Sequence, residues 1–274
     1  MTTLNLVGSG RVGQSLALLW HQHGCFEIQD VLTTSLASAQ AAVGFIGAGT
    51  PVPTLQGMRR ADVWMLAVPD SQIAPVAQAL AKASQNAAPV VFHCSGAQGA
   101  ALLAPLAALG WHTASAHCIL SFATPQVAVD QFKGTVCALE GSAAACAVLR
   151  PQFAAIGAQC FDLAADDKLL YHAAAVFATN FLPVLQSVAE DAWRSAGVPA
   201  HLLAGLRTRL LANAVANLNA LGPADALTGP AARGDTDAIA RQCAKVKAWD
   251  PLAGNAYDAL SALALRLAGH SSRP

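Results

Sequence analysis

The chain has 274 residues, of which 54% are apolar and 12% are charged, and its 16 basic side chains balance its 16 acidic ones. This length accommodates one large or two modest globular domains, and the apolar content excludes a disordered chain. The even charge balance, with no basic stripe, argues against nucleic acid or an acidic membrane surface as a partner.

The first fifteen residues hold the motif around which the rest of the interpretation is built. An apolar run at residues 4–7 leads into a glycine-rich segment at residues 8–13 and then into an apolar helical pattern. This order of strand, tight turn and helix is the context in which a dinucleotide-binding fingerprint is meaningful. Backbone N–H groups at such a helix start bind phosphate, so we expect a nicotinamide cofactor there. The residues expected to hold its pyrophosphate are Gly8, Ser9, Gly10, Arg11, Val12 and Gly13.

The second predicted strand, residues 26–33, ends in Thr33, Thr34 and Ser35. NAD-specific proteins place an acidic residue at this point, about twenty residues past the glycines, to bind the ribose 2′-hydroxyl. Because no acid stands here, the sequence favours NADP, with NAD as the alternative. The cationic candidates for a 2′-phosphate, which could equally be ordinary surface residues, are Arg11, Arg59 and Arg60.

The segments that follow alternate between helix and strand patterns. Helices are predicted at residues 35–42, 71–83 and 99–109, and strands at residues 61–68, 89–93, 113–117, 134–140 and 158–163. This alternation predicts an α/β fold with a doubly wound parallel Rossmann sheet. Ligands bind at the carboxyl ends of such strands. We therefore expect the loops there to line the cleft through Val68, Pro69, Ser95, Gly96, His117 and Ser121.

Strand patterns end at residue 164, and four helical stretches follow at residues 166–196, 200–220, 235–248 and 251–268. The sequence thus predicts a Rossmann-like dinucleotide-binding domain at residues 1–164 and a smaller all-helical domain at residues 165–274. The first long helix is apolar nearly all round, so it needs cover on every side. We therefore expect a homodimer formed through the C-terminal domain. Pro183 is expected to bend this helix.

Lys168, His172 and Asn180 share one face of that helix because their spacings are multiples of four. One interpretation is that His172 is a buried core residue whose ring nitrogens are hydrogen-bonded, since unpaired buried polar groups cost about 1–3 kcal/mol each. The other is catalysis, with His172 as general acid because histidine titrates near neutrality. Asn180 would then orient the substrate and Lys168 would be the alternative acid. Ser95 and His117 complete the predicted catalytic set.

A turn-rich loop at residues 227–235 carries Thr228, Arg233 and Asp235 in a region poor in charge. Asp235 is expected to cap the next helix. Arg233 could hold a substrate carboxylate or phosphate, or pair with Asp235. The predicted substrate-binding residues are Ser121, Thr228 and Arg233.

The seven cysteines are scattered and never spaced as a metal knuckle or a redox pair, so we expect no metal site. They fit small buried apolar side chains in a reducing cytoplasm. No signal-peptide pattern opens the chain. Polar residues interrupt the most apolar stretch, residues 172–188, which predicts a helix buried in protein and no membrane contact. We expect a cytoplasmic protein.

Six segments together resemble a family of bacterial proteins assigned as oxidoreductases. They are GSGRVG, VPD, HCSGA, SAHCILSF, YHAAAVFATN and LTGPAARGD. In that family a Rossmann-like domain precedes a helical domain of unknown function. Its wider relatives are 6-phosphogluconate and β-hydroxyacid dehydrogenases, pyrroline-5-carboxylate reductase, ketopantoate reductase and the deazaflavin-dependent NADP reductases. The resemblance implies a nicotinamide-binding first domain and a second domain that commonly makes the dimer.

The chain departs from this family at two positions. The family usually has His-Pro where this chain has His117-Cys118, and an arginine where this chain has Thr34. In the β-hydroxyacid dehydrogenases a lysine and an asparagine one turn later act on the substrate, and Lys168 and His172 have that spacing here.

The sequence thus predicts an NADP-dependent dehydrogenase or reductase acting on a small carbonyl, imine or hydroxy acid. The alternative is a non-catalytic NADP(H)-binding sensor or interaction protein.

Overall fold

The computed structural model describes residues 1–83 and 89–269. Within these ranges eight strands form one sheet in the order β3-β2-β1-β4-β5-β6-β7-β8. The strands are β1 (Thr3–Val7), β2 (Glu27–Leu32), β3 (Thr50–Val52), β4 (Val63–Leu66), β5 (Val90–His93), β6 (His112–Cys118), β7 (Val136–Gly141) and β8 (Gln159–Asp162). Neighbouring strands are parallel except β6 and β7, which are antiparallel.

The first helices of the chain connect these strands. They are α1 (Arg11–Gln22), α2 (Leu36–Ile46), α3 (Asp70–Ala83), α4 (Ala104–Ala107), α5 (Pro125–Gln131) and α6 (Ala143–Ala155). The helices that follow the last strand are α7 (Lys168–Ala175), α8 (Phe181–Ser195), α9 (Ala200–Ala226), α10 (Thr236–Trp249) and α11 (Pro251–Ala268), with a π-helical segment at Val176–Asn180.

Successive strand residues point to opposite faces of the sheet, and each face has its own core. On β4, Met65 belongs to the core that contains Leu16 and Trp20 of α1, whereas its neighbour Leu66 packs with Ile73 of α3. Helices therefore cover both faces. This confirms the predicted doubly wound α/β fold.

Four details of the sheet region differ from the sequence prediction. The short strand β3 and helix α5 were not expected, and the sheet reverses direction at β7. Hydrophobic periodicity reports that a segment is a strand but not which way it runs. The predicted helix at residues 99–109 is a 3₁₀ turn, Ala100–Leu103, followed by α4, because Pro105 lacks an N–H and starts a new helix.

The chain divides into two compact units, Met1–Thr179 and Asn180–Pro274. The boundary predicted at residues 164 and 165 thus lies inside the first unit, which also contains α7. Contacts of Lys168 and Tyr171 with the sheet explain why α7 belongs there. The sequence pattern becomes all-helical at residue 165, whereas the second packed unit begins fifteen residues later, at Asn180.

The predicted long helix contains the π-helical segment just before Pro183, which has no N–H for the bond to the preceding turn. Among the described residues, only Ala165–Ser195 is long and apolar enough to cross a membrane, with a mean hydropathy of 1.3. One such helix is weak support for a span, because core and interface helices share this composition. The predicted burial is not seen in the single chain, where Leu170 and Phe177 are 76% and 66% exposed.

Candidate functional site

The glycine loop between β1 and α1 requires glycine at two of its three fingerprint positions. Gly8 has a φ of +81°, and a Cβ there would lie 2.5 Å from the carbonyl oxygen of Ala67. A Cβ on Gly13 would lie 2.9 Å from the Cβ of Ala67, so this glycine lets α1 pack closely on the sheet. At Gly10, by contrast, no atom lies within 4 Å of the Cβ position. The space beside Gly10 is open.

The start of α1 presents donors to that open space. Gly10 is the N-cap of the helix, no side chain caps it, and its first turn contains no acidic residue. The hydroxyl oxygen of Ser9 is buried without a hydrogen-bond partner. Free N–H groups and an orphaned hydroxyl at a helix N-terminus suit a phosphate group. The predicted pyrophosphate residues therefore have the geometry that the motif requires.

A cavity of about 430 Å³ adjoins this loop, and we call it the glycine-loop cavity. Its lining residues are Val7, Gly8, Ser9, Gly10, Leu32, Thr33, Thr34, Ser38, Ala67, Val68, Pro69, Gln72 and Val76. Seven of the predicted cofactor residues thus lie together at the carboxyl ends of β1, β2 and β4. None of the lining residues carries a charge.

The end of β2 is a cluster of hydroxyl groups. The Ser38 hydroxyl contacts those of Thr33 and Ser35, and Ser35 caps α2. Arg59 is not available to a cofactor at this edge, because it forms an ion pair at 2.6 Å with the buried Asp30. Arg59 and Arg60 line a different cavity.

The turn after β5 lies beside the glycine-loop cavity and is held by hydrogen bonds. The Ser95 hydroxyl donates to Asp70, which follows Pro69, at 2.8 Å. The Ser95 N–H donates to Nδ1 of His93 at 3.2 Å, and Nε2 of His93 lies 3.0 Å from the carbonyl oxygen of Gly99. This pattern fixes a neutral ring with its proton on Nε2. Burial lowers the pKa of His93 to about 4.

Two histidines meet at Gly96. A Cβ on Gly96 would lie 2.4 Å from Nδ1 of His172 and 2.7 Å from Nε2 of His117, so only glycine fits between the rings. The ring centroids of His117 and His172 are 5.6 Å apart. Nδ1 of His172 is buried without a hydrogen-bond partner, while the residue as a whole is partly exposed. Nε2 is therefore the ring nitrogen that remains for a contact outside this turn.

Tyr171 supports His117 from the neighbouring position of α7. Its hydroxyl lies 3.3 Å from Nδ1 and 3.4 Å from the carbonyl oxygen of His117. Burial raises the pKa of Tyr171, so its hydroxyl stays protonated. Burial, together with the charges of His172 and Lys168, lowers the pKa of His117 to about 4. We call His93, His117, His172 and Tyr171 the histidine cluster.

Lys168 lies behind this cluster and is 1% exposed. Its Nζ donates to the hydroxyl of Ser115 at 2.9 Å and contacts the carbonyl oxygen of Ser95 at 3.4 Å. Burial lowers the pKa of Lys168, while the negative charges of Glu140 and Asp70 oppose the shift. The structure brings Lys168 and His172 together, as their spacing predicted.

Other predicted residues lie elsewhere. Asn180 ends the π-helical segment and belongs to the second unit. Thr228 and Arg233 also belong to the second unit, and both are exposed. Asp235 caps α10 by accepting the N–H of Ala238, which confirms that prediction. No ion pair in the described part of the chain includes Arg233. Ser121 is exposed after β6.

The sequence interpretation gave no role to four polar residues of this site, Asp70, His93, Ser115 and Tyr171, although the first two lie in the loops expected to line the cleft. Two of them had a recognisable signal. Ser115 and His117 are two apart on β6 and so point to the same face, and Lys168 and Tyr171 are three apart on α7. The bonds of Asp70 and His93 depend on the turn geometry at Ser95, which no spacing rule predicts.

No group of three or more His, Cys, Asp or Glu side chains in the described ranges could hold a metal ion. All seven cysteines are free, and Cys118, Cys137 and Cys243 are buried. The other four are partly exposed, which differs from the predicted burial of all seven.

These features define a Rossmann-type protein in which the turn at Ser95–Gly96 contacts both Asp70, next to the glycine-loop cavity, and the histidine cluster. Residues 2–118 match the family model of a Rossmann-like domain, and residues 135–264 match that of a domain of unknown function, DUF2520. The chain therefore consists of a Rossmann-like domain followed by a DUF2520 domain, which confirms the family arrangement inferred from the sequence. No curated protein matches the chain.

Solved structures with the same fold cover almost the whole chain. A protein from Thermotoga maritima has a TM-score of 0.77 and 23% identity, covering 99% of this chain and 100% of its own. A provisionally named NADP oxidoreductase from Bacteroides fragilis has a TM-score of 0.76 and 22% identity, covering 97% and 98%. A pyrroline-5-carboxylate reductase from Coxiella burnetii has a TM-score of 0.59 and 15% identity, covering 97% and 98%. At these identities the likeness establishes the fold.

Proposed function

We propose that this protein is an NAD(P)-dependent oxidoreductase acting on a small carbonyl, imine or hydroxy-acid substrate. The observation that carries the proposal is the link between the two parts of the site. Pro69 lines the glycine-loop cavity, and Asp70 beside it binds Ser95, which precedes the Gly96 that separates His117 from His172. A ligand in the cavity would thus lie next to the histidine cluster.

The cofactor residues fit a dinucleotide. The orphaned Ser9 hydroxyl and the uncapped start of α1 would bind the pyrophosphate, and the open space at Gly10 admits it. Val68 and Pro69 would pack against the nicotinamide, which supplies or accepts the hydride when bound. Fold-level relatives support this proposal, since two of them are named as an NADP oxidoreductase and a pyrroline-5-carboxylate reductase.

We propose NADP(H) as the preferred cofactor. No carboxylate lines the cavity near the end of β2, where an acid would bind a free ribose 2′-hydroxyl. Thr33, Thr34 and Ser38 instead offer hydroxyl groups, which can donate to a 2′-phosphate. Arg11 is exposed at the start of α1 and is the nearest cation in sequence to the glycine loop.

His172 is the proposed proton donor. Its Nδ1 faces Gly96 without a partner, so we propose Nε2 as the nitrogen that meets the substrate. In its protonated form the ring would give the Nε2 proton to a substrate oxygen or nitrogen as hydride arrives, and solvent would then reprotonate the ring. His117, supported by Tyr171, would form the neighbouring wall. Asn180, Ser121, Thr228 and Arg233 remain proposed substrate contacts.

The test follows NADPH absorbance with a panel of substrates. The absorbance should fall when NADPH reduces a keto acid or a cyclic imine, and rise when NADP⁺ oxidises a 3-hydroxy acid. We expect turnover with at least one class, and faster turnover with the phosphorylated cofactor. Binding of NADPH without turnover on any member of the panel would favour a non-catalytic NADP(H)-binding protein. Absence of both binding and turnover would contradict the proposal.

A further inference from the structure

The buried ammonium group of Lys168 is placed to act on protein atoms. The side chain is 1% exposed, and its Nζ contacts the Ser115 hydroxyl and the Ser95 carbonyl oxygen. None of the ion pairs in the part of the chain that the structure describes includes Lys168. Its observed contacts are thus with the protein's own groups, so we look for its role among them.

Those groups belong to the turn that carries Gly96. The Ser95 carbonyl oxygen accepts from the Ser115 hydroxyl at 3.2 Å as well as from Lys168. The N–H and hydroxyl of Ser95 bind His93 and Asp70. Every polar atom of Ser95 is therefore engaged, and Lys168 supplies one of the two donors to its carbonyl.

We infer that Lys168 is a positioning residue: it fixes the Ser95–Gly96 turn against the rings of His117 and His172 and does not itself donate a proton to the substrate. The part of this inference that concerns turnover rests on the proposed function. Lys168 precedes His172 by four residues, so both side chains lie on one face of α7. The hydrogen bonds of Lys168 therefore hold this part of α7 against the Ser95–Gly96 turn, which His172 contacts.

The charge of Lys168 also acts on the rings. The titratable groups that face it from the surrounding elements are Asp70, Glu140, Cys94, Cys137, His93 and His117. Its positive charge lowers the pKa of His93 and of His117, in addition to the larger effect of burial. The effect of removing that charge on the pKa of His93 and of His117 can therefore be measured without any substrate.

The test is Lys168→Met, which removes the ammonium group and keeps an unbranched side chain. We expect NMR titration of the ring protons to show a higher pKa for His93 and His117. The affinity for NADPH should stay unchanged, while turnover falls on the order of a hundredfold with an unchanged cofactor KM. Small primary amines added to the assay should not restore turnover. The matched control, Lys133→Met at an exposed position, should change none of these.

A second variant, Ser115→Ala, keeps the charge and removes one contact. It should lower turnover while the pKa values of His93 and His117 stay low. Unchanged ring titrations in Lys168→Met, or turnover restored by an amine, would overturn the inference. If Lys168→Met does not fold, unchanged turnover in folded Ser115→Ala would overturn it. If the wild-type protein shows no turnover, only the proposed function is contradicted. The ring titrations of Lys168→Met need no substrate, so they still test the placement of Lys168.

Discussion

The contact between Gly96 and His172 shows how one backbone position can decide the chemistry of a side chain. A hydrogen in place of a side chain at Gly96 lets Nδ1 of His172 approach the turn, where it finds no acceptor. Nε2 is then the ring nitrogen left for a substrate contact. Packing therefore decides which ring atom a substrate can meet.

The first prediction concerns His172→Asn. The variant should bind NADPH with near wild-type affinity, because the glycine loop is untouched, and should turn over about a hundredfold more slowly. Calorimetry and steady-state NADPH oxidation measure the two effects separately. His201→Asn, at an exposed position of α9, is the control and should behave as wild type. Unchanged turnover in His172→Asn would remove this residue from the mechanism.

The second prediction concerns stability below neutral pH. His93 and His117 have pKa values of about 4 in the folded chain, against 6.5 ordinarily. Between these values the unfolded chain binds protons that the folded chain does not. Stability is therefore fully present above pH 6.5 and falls as the pH drops toward 4, by up to about 1.4 kcal/mol per pH unit for each ring.

Urea unfolding at a series of pH values measures this slope. His93→Gln should flatten it, since a glutamine side chain does not titrate. His201→Gln should leave the slope as in wild type, because that histidine is exposed. A slope in His93→Gln equal to that of wild type would contradict the assignment of a buried neutral His93.

At the scale of elements, the glycine loop and α7 differ in how far the sequence predicts them. The loop is local: strand, turn and helix follow one another within fifteen residues, and Gly8 and Gly13 meet the contacts that the motif requires. The spacing of Lys168 and His172 on α7 is local too, so their shared location was predicted. Burial of Lys168 was not, because it depends on Ser95 and Ser115 from distant parts of the chain.

Two other elements show the same limit. The hydroxyl-rich end of β2 was predicted from adjacent residues, and the structure places Thr33 and Thr34 in the cavity. The reversal of β7 and the extension of the first unit through α7 were missed, since both are set by pairing and packing between distant segments. Sequence patterns give the type of an element more readily than its partners.

The third prediction separates the two roles of glycine in the loop. Gly10→Ala should leave the free energy of unfolding nearly unchanged, since its Cβ position is empty, and should weaken NADPH binding at least about tenfold by filling the space for the pyrophosphate. Gly8→Ala should destabilise the fold by more than about 1 kcal/mol, because of its positive φ and the clash with Ala67. Gly44→Ala, in open space on α2, should leave NADPH affinity unchanged and raise the free energy of unfolding by about 1 kcal/mol, because alanine is the better helix former. Full NADPH affinity in Gly10→Ala would contradict the assigned binding mode.

At the scale of the whole molecule, the helices that follow the sheet expose many large apolar side chains. Leu169 and Val184 are 69% and 57% exposed, and others follow on α8 and α9. Large exposed apolar surfaces mark sites of interaction with a partner. A second copy of the chain is the partner we propose, because the sequence predicted that these helices need more cover than one chain supplies.

The fourth prediction is therefore a homodimer at micromolar concentration, measured by multi-angle light scattering. The double variant Val184→Glu with Leu185→Glu should be monomeric with unchanged helical circular dichroism. Leu109→Glu, at an exposed position of the first unit, should remain dimeric. A wild-type monomer would contradict the proposal.

Calorimetric titration of the wild-type protein with NADPH, NADP⁺, NADH and NAD⁺ tests the central claim most directly. We predict saturable binding with one dinucleotide per chain, tighter for the phosphorylated pair. Absence of any heat of binding with all four at millimolar concentration would contradict the account.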